Sequence, residues 1–311
     1  LSADEEQVKA AEVDRPEDVP NTDLPEKALG FRVQTYGIRK HYQLFTNRQL
    51  TALTTFSQLV KEAQQQAEID ALEGGWEDDK VPLNKDGAGA LAYSQAISIY
   101  LAFLIDKLAD YHSSICSWHT SGEKVRNTFG RQAIPMAWDY AEGNPFSNSS
   151  GCFDNMLEWI TKCLLALPAE AFGEAKQWNA QSDCGLRQIM ISTDPPYYDN
   201  IGYADLSDYF YIWLRQSLRS VYPEIFRTML VPKAEELIAT PYRHENNKAK
   251  AKEFFEDGML QACRQLYQYA SDKLPVTIYY AYKQSETKEQ AGQKVTSSSG
   301  WETMLSAIIK A

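Results

Sequence analysis

Residues 192–200, STDPPYYDN, combine side chains that can accept hydrogen bonds from a ligand with aromatic rings that can stack on it. Asp194 offers a carboxylate, two prolines follow it, and Tyr197 adds an aromatic ring. The apolar run QIMI (188–191) predicts a buried strand, and because proline cannot donate to a strand ladder, that strand must end at the motif. The pattern therefore predicts a stiff turn that carries an acceptor and aromatic rings. A strand-ending turn without a chemical role is the alternative.

Longer stretches around this motif resemble one protein family. They are EKVRNTFGRQAIPMAWDYAEGNPF (123–146), STDPPYYDNIGYADLSDYFYIWLR (192–215) and PKAEELIATPYRH (232–244). Together they are similar to the bacterial and archaeal adenine-specific DNA methylases that carry an N-terminal DUF1156 domain. The tetrapeptide matches the DPPY motif of amino-methylating DNA methyltransferases. The similarity covers nearly the whole chain from about residue 33.

The resemblance implies a catalytic motif made of Asp194, Pro195, Pro196 and Tyr197. An exocyclic amine is a poor nucleophile because its lone pair is delocalised into the base. In the family, the Asp194 carboxylate and the Pro195 carbonyl would each accept one N–H and free that lone pair. Tyr197 would stack on the flipped base, which contributes about 1–3 kcal/mol and is comparable with the cost of extruding the base. Tyr198, with Asp199 and Asn200, would complete the substrate-binding wall.

A basic cluster within 124–131 is the predicted DNA-binding site. Lys124, Arg126 and Arg131 could contact phosphates, which positions a duplex without reading its sequence. Asn127, together with Gln132, could reach base edges. An ordinary solvated surface is the alternative for the whole cluster. The net charge of −11 does not exclude double-stranded DNA as the partner, because a local basic patch is sufficient.

The resemblance implies S-adenosylmethionine as the methyl donor and no metal. The family's glycine-rich cofactor loop follows a strand, but the segment DGAGAL (86–91) lacks such a strand and is predicted to open a helix. In relatives that loop lies before the segment that matches residue 33. The five cysteines are widely spaced and form no CxxC pair, so a structural zinc site is not expected.

Apolar periodicity predicts mainly helices, with two strands near the motif. The predicted helices cover about 46–74, 89–111, 151–166, 206–219, 248–271 and a last one from Ser299, and the strands are RQIMIST (187–193) and PVTIYYAYK (275–283). Thr46 and Gln49 predict a capping box at the start of the first helix, and Gly74 predicts its end. The helix at 151–166 is expected to bury its apolar face, which includes Phe153, Met156, Leu157, Ile160 and Leu164.

From residue 187 onward the elements follow the order strand, helices, strand and helix. This order predicts that the two strands are parallel and joined by a crossover connection. The fold class is therefore α/β, with a partial Rossmann-like methyltransferase sheet and a large, mostly helical insertion.

Three regions are predicted along the chain. Residues 1–30 form an acidic, loosely ordered segment, residues 31–180 a mostly helical insertion or target-recognition region, and residues 181–311 part of the catalytic domain. The polar run 283–300 is expected to be a surface loop. Since two strands do not complete a parallel sheet and the chain begins with Leu, we expect a piece of a longer protein or strands supplied by another chain.

The function predicted from these features is S-adenosylmethionine-dependent methylation of an exocyclic amine on DNA, with adenine preferred over cytosine by resemblance. A non-catalytic DNA-binding or specificity module that partners a separate catalytic chain is the main alternative. Methylation of RNA or of a protein side-chain amide is a third. The acidic N-terminus lacks a signal-peptide pattern, which predicts a cytoplasmic protein that does not contact the membrane. The missing remainder of the methyltransferase domain or a defence-system protein would be its partner.

Overall fold

The structure is a computed structural model that describes residues 3–167, 173–199, 201–280, 286–290, 293–297 and 299–311. The chain forms two compact units, each discontinuous in sequence. The first unit contains Leu1–Ala171 and Tyr203–Val231, and the second contains Phe172–Gly202 and Pro232–Ala311. The sequence predicted one continuous region over 181–311, whereas 203–231 lies in the first unit because its helix supplies part of that unit's core.

The described part of the first unit contains five α-helices and one hairpin. They are α1 (Glu5–Ala11), α2 (Asn47–Glu73), α3 (Ala90–Tyr111), β1 (Ser117–His119), β2 (Lys124–Arg126), α4 (Phe153–Ala166) and α5 (Tyr203–Leu218). The predicted capping box of α2 is confirmed. The N–H of Gln49 donates to Thr46 Oγ1 at 3.2 Å, and the N–H of Thr46 donates to Gln49 Oε1 at 2.9 Å. As predicted, α2 ends at Gly74.

Helix α3 is central to the first unit, where it packs against α2, α4 and α5. Its Leu104 and Leu108 are fully buried. Nearby, the ring of Phe45 contacts Tyr209 and Trp213 of α5, with centroid distances of 5.5 and 5.4 Å. By length and composition α3 could also cross a membrane, a test that buried core helices pass as well.

The acidic segment 1–30 was expected to be loosely ordered, but its described residues make specific contacts with the first unit. Arg48 Nη1 donates a 3.0 Å hydrogen bond to the carbonyl of Ala11. Leu24 is buried, and its N–H donates to the carbonyl of Arg39 at 2.7 Å. A buried apolar side chain and backbone hydrogen bonds therefore attach this segment to the first unit, although its acidic composition predicted an exposed, loosely ordered chain.

Helix α4 forms where it was predicted, but most of its apolar face is not buried. Met156 is its one buried residue. Leu157 and Leu164, which we expected in the core, are 39% and 38% exposed. Periodicity places these side chains on one face of the helix, but it does not tell whether the chain covers that face.

The described elements of the second unit are β3 (Ser192–Thr193), α6 (Lys248–Tyr269), β4 (Thr277–Ile278), β5 (Glu286–Gln290), β6 (Gln293–Ser297) and α7 (Ser299–Lys310). Strands β3 and β4 pair in parallel, with Ser192 opposite Thr277, which confirms the predicted crossover. Strands β5 and β6 form an antiparallel hairpin in the region predicted as a surface loop. Its β-branched residues, Thr287, Val295 and Thr296, favour strands.

The α/β class is confirmed for a mostly helical chain with small sheets. The strands described by the structure form three two-stranded pairs, so the expected Rossmann-like sheet is not found among them. The core of the second unit is a cluster around the fully buried Phe255, with Met259 from the same helix and Met304 from α7. Tyr198 and Tyr280 pack against this cluster from the side of the DPPY motif.

Candidate active site

The DPPY motif lies at the carboxyl end of β3, as predicted. The N–H of Thr277 donates to the carbonyl of Ile191 at 3.0 Å, and the N–H of Tyr279 donates to that of Thr193 at 2.8 Å. Asp194 follows directly. Because Pro195 and Pro196 have no N–H, they cannot extend this ladder, and the chain turns there. The carboxyl ends of parallel strands commonly form ligand crevices.

Asp194 is exposed, and its carboxylate receives a hydrogen bond from within the motif. The phenol of Tyr197 donates to Asp194 Oδ1 at 3.0 Å. The motif thus brings an acceptor and an aromatic ring together, three residues apart in sequence, without help from another element. Pro195, Pro196 and Tyr197 are partly buried, so the turn is only half open to solvent.

Tyr197 of the motif belongs to an aromatic cluster that also contains Tyr280 and Trp301. The rings of Tyr197 and Tyr280 meet edge to face, with centroids 5.4 Å apart at 87°. Those of Tyr280 and Trp301 lie 6.2 Å apart. The hydroxyl of Tyr280 also donates to the carbonyl of Gly300 at 3.3 Å. The cluster therefore joins the ends of both strands to the start of α7.

Tyr280 and Trp301 are site residues that the sequence analysis missed. Tyr280 follows β4 at the same sheet edge at which Asp194 follows β3. Since residues after neighbouring parallel strands lie close together, the predicted crossover was the signal that could have identified Tyr280. No comparable signal pointed to Trp301, because its approach depends on how α7 packs.

Tyr198, predicted to line the substrate pocket, packs against the core of the second unit. Its ring meets Phe255 edge to face at 5.1 Å, and its carbonyl accepts a 2.7 Å hydrogen bond from the N–H of Ala239. Burial raises the pKa of the Tyr198 phenol, with a smaller contribution from Asp199. Asn200, the other predicted pocket residue, lies outside the described residues.

The predicted DNA-binding residues belong to the first unit. Lys124 and Arg126 alternate with Val125 on β2 and therefore share one side of the hairpin, where both are exposed. Arg131 is exposed on the turn that follows. These three cations are accessible to a phosphate backbone.

Asn127 has a structural partner. Its Nδ2 donates a 2.8 Å hydrogen bond to Oδ2 of Asp110, whose other oxygen accepts the N–H of Phe129 at 3.0 Å. Asp110 is buried, so both donors compensate a carboxylate removed from water. This bond competes with the predicted contact of Asn127 with a base edge.

A second basic segment, 243–252, is largely neutralised by neighbouring carboxylates. Arg243 pairs with Glu236, Lys250 Nζ lies 2.8 Å from Glu245, and Lys252 Nζ lies 3.5 Å from Glu256. Such local pairing lowers the net positive charge that this segment offers to an anion. The β2 hairpin is the better candidate for phosphate contacts.

The segment DGAGAL is a helix start, as predicted. Asp79 Oδ2 accepts hydrogen bonds from the N–H groups of Ala88 and Gly89 at 3.4 and 3.0 Å, and α3 begins at Ala90. These amides already bind a carboxylate of the chain itself, which does not fit a role in cofactor binding. Within the described ranges, no group of three His, Cys, Asp or Glu residues is placed to hold a metal ion.

Comparisons with family models, curated proteins and solved structures found no match to this chain. The resemblance to the methylases therefore stays a prediction that rests on the quoted segments.

Proposed function

We propose that this chain carries the base-binding part of an S-adenosylmethionine-dependent DNA methyltransferase that modifies an exocyclic amine, with adenine preferred. One observation carries the proposal. The acidic, proline-containing turn follows a parallel strand and holds the exposed Asp194 carboxylate beside the Tyr197 ring. An exposed acceptor next to a partly buried ring fits a flat base that bears an amine. We also propose that the chain contributes part of the Rossmann-like sheet expected of such an enzyme.

The chemistry assigned to the motif is to activate the amine. One N–H of the base donates to the Asp194 carboxylate and the other to the Pro195 carbonyl, which the fixed φ of proline keeps aimed. These two acceptors draw the nitrogen toward tetrahedral geometry and localise its lone pair. S-adenosylmethionine would supply the methyl group that this lone pair attacks.

The proposed role of Tyr197 is to stack on the extruded base. Its hydroxyl bond to Asp194 and its edge-to-face contact with Tyr280 fix the ring from two sides. A ring held in place loses little further freedom on binding, which favours affinity. The exposed Lys124, Arg126 and Arg131 are the proposed phosphate contacts, and they would hold the duplex independently of its sequence.

A non-catalytic DNA-binding or specificity module is the second candidate. It is favoured by the helix start at DGAGAL, whose Ala88 and Gly89 amides are bound by Asp79. Such a module would keep the turn and its rings but would depend on another chain for the methyl donor.

Methyl transfer and ligand binding, measured separately, distinguish the two candidates. The chain is incubated with tritiated S-adenosylmethionine and a mixed-sequence duplex, and the label transferred to DNA is counted. Calorimetry gives its affinity for the methyl donor, and fluorescence anisotropy its affinity for the duplex. Asp194→Asn keeps the side-chain shape but replaces one acceptor oxygen with a donor, and Asp272→Asn at an exposed position of the same unit is the matched control.

The methyltransferase proposal expects labelled adenine in the DNA, its loss in Asp194→Asn, and unchanged duplex binding in both variants. Transfer that survives Asp194→Asn would contradict the catalytic assignment. Duplex binding without binding of the methyl donor is expected of the specificity module and also of a base-binding part that lacks the cofactor loop. The transfer assay is then repeated with the segment that precedes residue 33 in relatives fused to the chain, and transfer that stays absent would favour the specificity module.

A further inference from the structure

An apolar groove of about 830 Å³ lies in the first unit, away from every residue assigned above except Lys124. Helices α3 and α4 form its two long walls. From α3 it is lined by Tyr100, Phe103, Lys107 and Tyr111. The intervals of three and four residues place these side chains along one stripe of the helix.

The wall from α4 is a second stripe, and it is more apolar. It includes Met156, Trp159, Ile160, Cys163 and Leu164. Large parts of both stripes are exposed: Trp159 to 59%, Phe103 to 47% and Leu164 to 38%. A contiguous exposed patch of such residues is typical of an interaction site.

The groove is preformed, because hydrogen bonding and packing fix the start of α4 to the end of α3. The Nε2–H of His112 donates to the carbonyl of Gly151 at 2.8 Å. Gly151 has a φ of 92° and packs so closely that an added Cβ would lie 3.0 Å from Cδ1 of Tyr111. Only glycine adopts this backbone angle readily, so the junction holds the two helices at a defined spacing.

The dimensions of the groove fit a helix. The α3 stripe spans about three turns, or roughly 16 Å at a rise of 1.5 Å per residue, and the α4 stripe spans about two turns, or roughly 12 Å. Two neighbouring helices with parallel apolar stripes leave a furrow into which the side chains of a third can pack. Apolar residues at intervals of three and four on an incoming helix would fill it.

The charge of the groove predicts which polar residues lie beside the apolar face of the occupant. Lys107 and Lys124 line the groove, and no carboxylate is among the described residues that line it. Acidic residues beside the apolar face of the occupant would pair with these lysines, whereas basic residues would be repelled.

We propose that this groove binds an amphipathic helix of a partner protein, with an apolar face and acidic residues beside it. Trp159, Phe103 and Leu164 provide the apolar contacts, and Lys107 and Lys124 select the charge. This assignment is independent of the methyltransferase proposal, except that Lys124 then serves a protein partner rather than a phosphate.

A displayed library of peptides long enough for about four helical turns tests the proposal. Its apolar positions are fixed at intervals of three and four, and the flanking positions vary between Glu and Lys. Binding is measured on the wild-type chain, on Trp159→Glu and Leu164→Glu, and on Leu59→Glu as the control. Leu59 is 44% exposed on α2 and lines none of the groove. Thermal unfolding verifies that each variant folds.

Selected clones should be rich in Glu, and their affinity should fall about tenfold or more in both groove variants but not in the control. A library that yields no clone dependent on Trp159 and Leu164 overturns the proposal. Selection of Lys-rich clones overturns it as well. The double variant Lys107→Glu with Lys124→Glu should reverse the preference from Glu-rich to Lys-rich clones, and an unchanged preference contradicts the assigned role of the lysines.

Cys163 reports on the groove directly, because it is exposed and lies in the α4 wall. In a Cys184→Ser background, a bound Glu-rich peptide should slow alkylation of Cys163 about tenfold at a concentration ten times its Kd. Protection by an oligonucleotide, with none by the peptides, would overturn the proposal and identify the groove as a nucleic-acid surface.

Discussion

The phenol of Tyr197 donates a 3.0 Å hydrogen bond to Oδ1 of Asp194, while its ring meets Tyr280 edge to face. The residue proposed to stack on the base therefore also orients the residue proposed to hold the amine. Substitution of Tyr197 can separate these two roles, because phenylalanine keeps the ring and removes the hydroxyl.

Tyr197→Phe should bind a short oligodeoxyadenylate nearly as well as the wild type, whereas Tyr197→Ala should lose about 1–3 kcal/mol of binding free energy. The ring supplies the stacking, and its hydroxyl bond is exposed and contributes little. Fluorescence anisotropy gives both affinities. Equal binding by Tyr197→Ala and the wild type would remove stacking from the proposed role of this residue.

Asn127→Ala should destabilise the first unit by about 1–3 kcal/mol, because the buried Asp110 loses a hydrogen-bond donor. Thermal unfolding followed by calorimetry detects this loss. Duplex affinity should change no more than in Gln132→Ala, a matched change at an exposed neighbour. A selective loss of duplex binding at unchanged stability would instead support the predicted contact with a base edge.

Asp106→Asn should stabilise the chain near neutral pH. Burial raises the pKa of Asp106 well above its usual value, and its Oδ1 is buried without a hydrogen-bond partner in the described part of the chain. The folded state keeps a proton that the unfolded chain releases above a pH of about 3.9, so the wild type loses stability as pH rises from there.

The asparagine variant has no such titration. The difference in melting temperature between Asp106→Asn and the wild type should therefore grow from pH 4 to pH 7. Equal pH profiles for the two proteins would show that Asp106 is ionised in the folded chain.

His112→Gln should reduce the sensitivity of the first unit to mild acid. Burial lowers the pKa of His112, an effect that the hydrogen bonds to Gly151 and Gly143 and the charge of Glu142 offset only in part. Below a pH of about 6.5 the unfolded chain binds a proton that the folded histidine resists, so wild-type stability falls as pH falls. Melting temperatures between pH 7 and pH 5 measure the effect, and a parallel decline in the variant would contradict it.

Local signals predicted the parts of the fold that depend on neighbouring residues. Both ends of α2 were predicted, its start from the capping box at Thr46 and Gln49 and its end from Gly74. The end of β3 was predicted from the prolines after Asp194. Contacts between distant residues had no such signal. Asp110 engages the amide of Asn127, and Trp301 approaches Tyr280, only after the chain has folded.

The exposed apolar face of α4 illustrates the same distinction. Its periodicity predicted a helix with one apolar side, which is correct. Whether Leu157 and Leu164 become core residues depends on which other elements cover them, and no repeat or spacing within residues 151–166 carries that information.

The discontinuity of the first unit determines when that unit can fold during synthesis. Tyr209 and Trp213 fill a core whose other members leave the ribosome earlier, Leu108 by about 100 residues and Phe45 by about 165. At a translation rate of about 5–20 residues per second, those earlier helices wait about 5–30 seconds for their last partner. A chain that ends after residue 180 would contain these helices without the unit's two largest buried side chains, and such a product is expected to aggregate.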